Sequence, residues 1–194
     1  QARSTPAIGE TKSSHFDFLN ADGEDMSFEF LADPGKKLLL VGHKLKYDVK
    51  PFENTVLDTV YKADTTFVIS GMAEKLDTVI NMKIQEVNER KEITYNYTFD
   101  EDFISKWQEA VNLANELSKE DVSTIALVGG VGQDALLAFK KTIGADFPIY
   151  EADDILLKTI VRSNPGYVTW KGGSILKKYH SSKVSLDKLS GSFK

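Results

Sequence analysis

Residues 162–170 read RSNPGYVTW, and they sit inside the longer run TIVRSNPGYVTWKGGSILKKYH, 159–180. Proline fixes its own φ and pushes the preceding residue out of the helical region, so Asn164-Pro165 ends whatever helix precedes it. The next residues, GYVTW, are apolar and aromatic, as a buried strand requires. Gly172-Gly173 is a two-residue turn signal, and SILKKYH forms the returning strand. On the residues alone, Asn-Pro-Gly is also an ordinary trans turn. An X-Pro bond is cis in only about 5% of cases, so a cis bond here would be a selected feature.

The regions upstream alternate in type. VSTIALVGG, 122–130, is a buried strand and GQDALLAFKKTIG, 132–144, a short helix ended by glycine. DFPIYE is a short strand and ADDILLKTIV, 152–161, a short helix. Residues 100–120 are the clearest helix, with Phe103, Trp107, Ala110, Ala114 and Leu117 on one stripe and Asp100 as its cap. KLLLVGH, 37–43, is a continuous apolar run, the mark of a central strand buried on both faces. Before it, Phe16 and Phe18, then Met26, Phe28 and Phe30, alternate with polar residues around NADGED, which predicts an N-terminal β-hairpin. The last residues, SSKVSLDKLSGSFK, predict a short final helix.

The segment 50–99 is less regular. Phe52, Val56 and Val60 fit helical spacing over 52–64, and TTFVISG, 65–71, reads as a strand. In 76–99, Ile80, Met82 and Ile84 take one face and Ile93, Tyr95, Tyr97 and Phe99 another, with NERK turning between them. That predicts a two-stranded arm folded within 76–99. Residues 1–14, small and polar, read as a flexible leader; they lack the apolar centre of a signal peptide.

Composition limits function. The 194 residues are 41% hydrophobic and 27% charged, as in a globular chain. A net charge of -5 argues against a nucleic-acid surface. No apolar run approaches the roughly 18–20 residues of a membrane span. There is no cysteine, so this chain has no thiol for disulfide exchange, peroxide reduction or metal ligation.

FDFLNADGEDMSFEFLADPGKKLLLV, 16–41, resembles the N-terminal hairpin and first central strand of TlpA-like and peroxiredoxin-like members of the thioredoxin superfamily. The stretch 123–180 is similar to the thioredoxin-like segment that follows the membrane helices in some bacterial DoxX-family proteins. The similarity covers roughly 15–48 and 100–180, and it leaves 50–99 as an insertion. It implies a thioredoxin-like α/β fold: a mixed sheet flanked by helices, one domain over 15–194, with a β-rich insertion after the first central strand. It also implies a cis bond at Asn164-Pro165 and a ligand cleft around Lys44, Tyr47, Arg162, Asn164 and Pro165. In the redox families the nucleophilic cysteine lies at the end of the first central strand, here around HKLKYDV, 43–49, where no thiol stands. The resemblance therefore implies a non-catalytic binding module of the bacterial cell envelope or periplasm, with an unknown protein or peptide partner and no cofactor.

Three other patterns compete. Gly130-Val-Gly132-Gln-Asp-Ala135 satisfies the dinucleotide fingerprint after a strand, and Glu151 lies downstream at the usual distance for an acid on ribose. The glycine-rich turn 129–135 thus opens an alternative nucleotide-binding function, although Pro148 interrupts the second strand and the unit does not open its domain. His15, His43 and His180 have no metal-ligand spacing, and EADD, 151–154, suits a helix start as well as a cation. Ser174, Ser181 and Ser182 make no nucleophile motif with His180.

Overall fold

A computed structural model describes residues 17–20, 22–70 and 75–194, with the side chains of 66–70 and 75–79 outside that description. The expected leader, Phe16 and His15 fall outside the described residues. The chain divides into two units, a core of residues up to Asp48 and from Tyr97 onward, and an arm, Val49–Asn96.

In the core unit the elements run β1 (Phe18–Leu19), α1 (Ser27–Ala32) and β2 (Lys36–Gly42), then α2 (Glu101–Ser118). In chain order, β3 (Tyr47–Ser70) and β4 (Lys75–Phe99) come between β2 and α2 and make the arm. After α2 come β5 (Val122–Gly129), α3 (Gln133–Ile143), β6 (Ile149–Ala152), α4 (Asp154–Ile160), β7 (Gly166–Lys171), β8 (Ser174–His180) and α5 (Leu186–Gly191). The six-stranded sheet has the order β1-β6-β5-β2-β7-β8. Strand β2 runs parallel to β5 and antiparallel to β7, and β5 runs parallel to β6. This is the thioredoxin-like mixed sheet flanked by helices that the resemblance implies, and β2 is its centre.

The apolar run of β2 explains that position. Leu38 and Leu40 enter one core with Trp107, Phe103 and Phe139, while Leu39 and Val41 enter the other with Phe18, Phe30 and Leu157. A strand apolar on both faces is stable only between two covered faces. Each such side chain removed from water contributes roughly 1.5–3 kcal/mol before the cost of ordering. Helix α2 covers the first face with the predicted stripe, and Asp100 caps it by accepting from the Phe103 amide at 2.8 Å. Gly172 and Gly173, at φ +53 and +77, form the β7–β8 turn, a conformation matching the strand twist and costly for side-chain-bearing residues.

Two expectations need correction. The second strand of the N-terminal hairpin is instead helix α1. The turn itself exists, closed by the Leu19–Asp25 bridge, but Asp25 then accepts from the Ser27 amide at 2.9 Å and starts a helix. Phe30 is buried, whereas Phe28 stays 80% exposed, so a strand-like alternation served a helix with one apolar anchor.

The arm is the second. Residues 52–64 are strand, not helix, and NERK lies within one continuous β4. The two strands of the arm are 47–70 and 75–99. They run antiparallel, because Asn54 meets Thr94 while Asp64 meets Lys83. Phe52, Val56 and Val60 are four apart, and four residues return to the same face of a strand as well as of a helix.

Candidate ligand cleft at the Asn164–Pro165 corner

Strand β2 ends at Gly42, and the loop 43–46 leaves it beside the start of β7. A Cβ on Gly42 would lie 2.6 Å from the Trp107 ring and 3.4 Å from Asn164 Oδ1. Glycine here lets the α2 tryptophan and the β7 corner close on the strand end. The Asn164–Pro165 peptide bond is cis. The Asn164 side-chain amide donates to the Lys44 carbonyl, which ties the corner to the loop. Ser163 Oγ accepts from the Ser181 amide at 3.3 Å and holds the other side of the corner.

The arm leaves and rejoins the core unit at this loop. The Asp100 amide donates to the Lys46 carbonyl at 3.2 Å, and Tyr47 packs on Phe99 with ring centroids 5.8 Å apart. The helix start at 100–106 therefore completes the loop 43–46 as if the intervening residues were absent. A cleft of about 290 Å³ lies among Lys44, Lys46, Lys106, Asp100, Asp102 and Asn164, with His43 and Phe103 also in its wall. Its charge is mixed. Two polar atoms beside it, His43 Nδ1 and Asn164 Oδ1, are buried without a protein partner, and so is Trp107 Nε1. Buried polar atoms left unpaired cost about 1–3 kcal/mol.

Of the five residues expected to line the site, Lys44 and Asn164 meet in this cleft. Tyr47 lines a neighbouring depression of about 440 Å³ that Lys44 shares. Arg162 is exposed and Pro165 is buried, and neither lines either cleft. Asp100, Asp102 and Lys106 were missed by the sequence reading. Their signal was the capping aspartate at the head of the clearest helix, nearly sixty residues downstream of the strand end it adjoins in space.

Immediately after Gly166, Tyr167 is 2% exposed. Burial pushes its hydroxyl up to about 12, with Glu109 adding to the shift. The phenol is thus neutral at any physiological pH and serves the core rather than the cleft.

The glycine-rich turn has a different character. Gly130 takes φ +64 and Gly132 precedes α3. The adjoining depression, about 470 Å³, is walled by Asp17, Glu151, Asp153 and Asp154. Four carboxylates oppose a pyrophosphate at the place where a dinucleotide site needs positive potential. EADD acts as the helix start: Asp153 accepts from the Leu156 amide at 2.7 Å, and the hydrogen bond from Lys158 holds the Asp154 carboxyl below the usual range. Among the described residues no group of three or more His, Asp or Glu is placed to hold a metal ion. His180 Nδ1 accepts from the Ser182 amide at 3.2 Å, a capping contact for the short turn 181–183.

No known family profile matches the chain, and no curated protein matches it at sequence level. Among solved structures it is similar to a secreted Mycobacterium tuberculosis disulfide oxidoreductase homologous to E. coli DsbE, at 9% identity and TM-score 0.47, over 91% of this chain and 92% of that one. It is also similar to M. tuberculosis DsbF (12%, TM-score 0.48, 91% and 91%). A third is the M. tuberculosis peroxidoxin BcpB (10%, TM-score 0.45, 91% and 86%). The assignment of fold rests on the strand order and chain path described above. Among the described residues no helix is long and apolar enough to cross a membrane.

Proposed function

We propose that this chain is a non-catalytic thioredoxin-like binding module of the bacterial cell envelope, whose cleft at the Asn164 corner takes an extended polypeptide segment. The observation that carries the reading is the pair of buried, unpartnered atoms, Asn164 Oδ1 and His43 Nδ1, beside an open cleft in a chain without any thiol. An extended backbone supplies N–H groups for such acceptors and carbonyls for lysine ammonium groups. Lys44, Lys46 and Lys106 suit acidic positions of the ligand, and Asp100 and Asp102 a basic one. The envelope location rests on the resemblance of 123–180 to the segment following the membrane helices of DoxX-family proteins.

The test uses an unfolded acidic polypeptide, reduced and carboxymethylated α-lactalbumin, titrated into the protein. Saturable binding is expected. Asn164→Ala weakens it roughly 2–10-fold, the range for one lost hydrogen bond. Thermal shifts with NAD, ATP and FAD probe the competing glycine-rich turn; a saturable shift there, with no polypeptide binding, would overturn the reading.

A further inference from the structure

Among the described residues, one face of the arm carries large apolar side chains that stay exposed. Cross-strand contacts reveal which residues share that face. Asn54, Asp58 and Asp64 of β3 meet Thr94, Arg90 and Lys83 of β4. Those six define one face. The β3 members are all even-numbered, but on β4 the parity changes between Arg90 and Lys83. Side chains alternate along a strand, so the opposite face holds Val49, Leu57 and Tyr61 of β3. On β4 it holds Ile93 and Tyr95 below the change, and Ile80, Met82 and Ile84 above it. The change of parity thus brings onto one face the two apolar sets of β4 that the sequence places on different faces. These eight side chains are between 46% and 64% exposed. The charges on that face include Glu53 and Lys91, which pair with each other at 3.6 Å.

We propose that this face is where two copies of the chain associate, arm against arm, with the apolar faces packed together. Two arguments favour a second copy over another partner. An isolated two-stranded ribbon is marginal in water, whereas two ribbons face to face make a four-stranded layer with a shared apolar interior. The area also fits. Over residues 49–65 the ribbon is roughly 60 Å long and about 10 Å wide, so two copies bury about 1,200 Å², the lower bound for a stable specific interface. Each copy contributes about 600 Å² of that, at the upper end of the largest patch a monomer ordinarily leaves exposed.

The experiment is sedimentation of the full chain at about 100 µM, above the micromolar range that interfaces of this size reach. The wild type sediments as a dimer. Leu57→Glu combined with Ile93→Glu weakens association by roughly a hundredfold or more, since each charge would be buried unpaired. Phe52→Glu, on the opposite face, leaves the dimer intact. Circular dichroism of each variant establishes that the core unit is folded. Because the chain has no cysteine, a spin label at Thr55→Cys reports the apolar face directly: immobilised in the dimer, freed on dilution, while one at Lys62→Cys does not change. A monomeric wild type overturns the proposal, and so does a dimer in which the label at 55 stays mobile.

Discussion

The core unit and the arm both carry large apolar side chains and use them in opposite ways. In the core, the apolar run of β2 is covered on both faces, and aspartates cap α2 and α4. In the arm, large apolar side chains such as Leu57, Met82 and Tyr95 remain more than half exposed on strands of 24 and 25 residues, against a usual strand of about five or six. Burial makes single residues decisive in one region; in the other, stability depends on what the ribbon meets.

Substitutions should separate the regions by size of effect. The largest is Trp107→Ala. The ring is fully buried against Phe103 and Phe139. Its loss costs roughly 3–5 kcal/mol, measured by urea unfolding. Gly42→Ala comes next, because the new methyl meets that same ring; overpacking costs about 1–3 kcal/mol and should also reshape the Asn164 corner in amide spectra. Asp100→Ala removes the α2 cap and costs about 1 kcal/mol. On the arm, Asp58→Asn breaks an exposed ion pair and should shift stability by no more than about 0.5 kcal/mol. An arm effect as large as that of Trp107 would erase the distinction.

Tyr167 provides a pH-dependent version of the same contrast. Its hydroxyl is pushed up to about 12 in the folded state, above the ordinary value of 10. A raised folded value means the stabilisation is fully present below the unfolded pKa. It is lost as pH rises from about 10 through about 12. Tyrosinate absorbance of the folded protein should therefore include a component that rises only near 12, from Tyr167. Loss of that component on Tyr167→Phe is expected; Tyr167 ionising near its ordinary value of 10 in the folded protein would contradict its burial.

Legibility in the sequence divides along the same line. The runs of β2 and β5, the stripe of α2 and the Gly-Gly turn each carry a pattern only one structure satisfies. Helix α1 was not legible, since Phe28 and Phe30 alternate like a strand and only Phe30 of the two is anchored. The arm was misread because i, i+4 spacing is common to helix and strand. NERK looked like a turn, yet Arg90 and Lys91 are paired across the ribbon with Asp58 and Glu53. For the cleft, Lys44 and Asn164 came through resemblance. Asp100, Asp102 and Lys106 did not, because an insertion hides spatial neighbours from any local pattern.

The central claim is that the Asn164 corner binds without chemistry. Amide chemical-shift mapping with reduced, carboxymethylated α-lactalbumin tests it most directly. The account predicts saturable shifts concentrated at 43–46, 100–106 and 163–166, with 129–135 and 151–154 unmoved. Shifts centred on the glycine-rich turn, or none at the corner at saturating polypeptide, would contradict it.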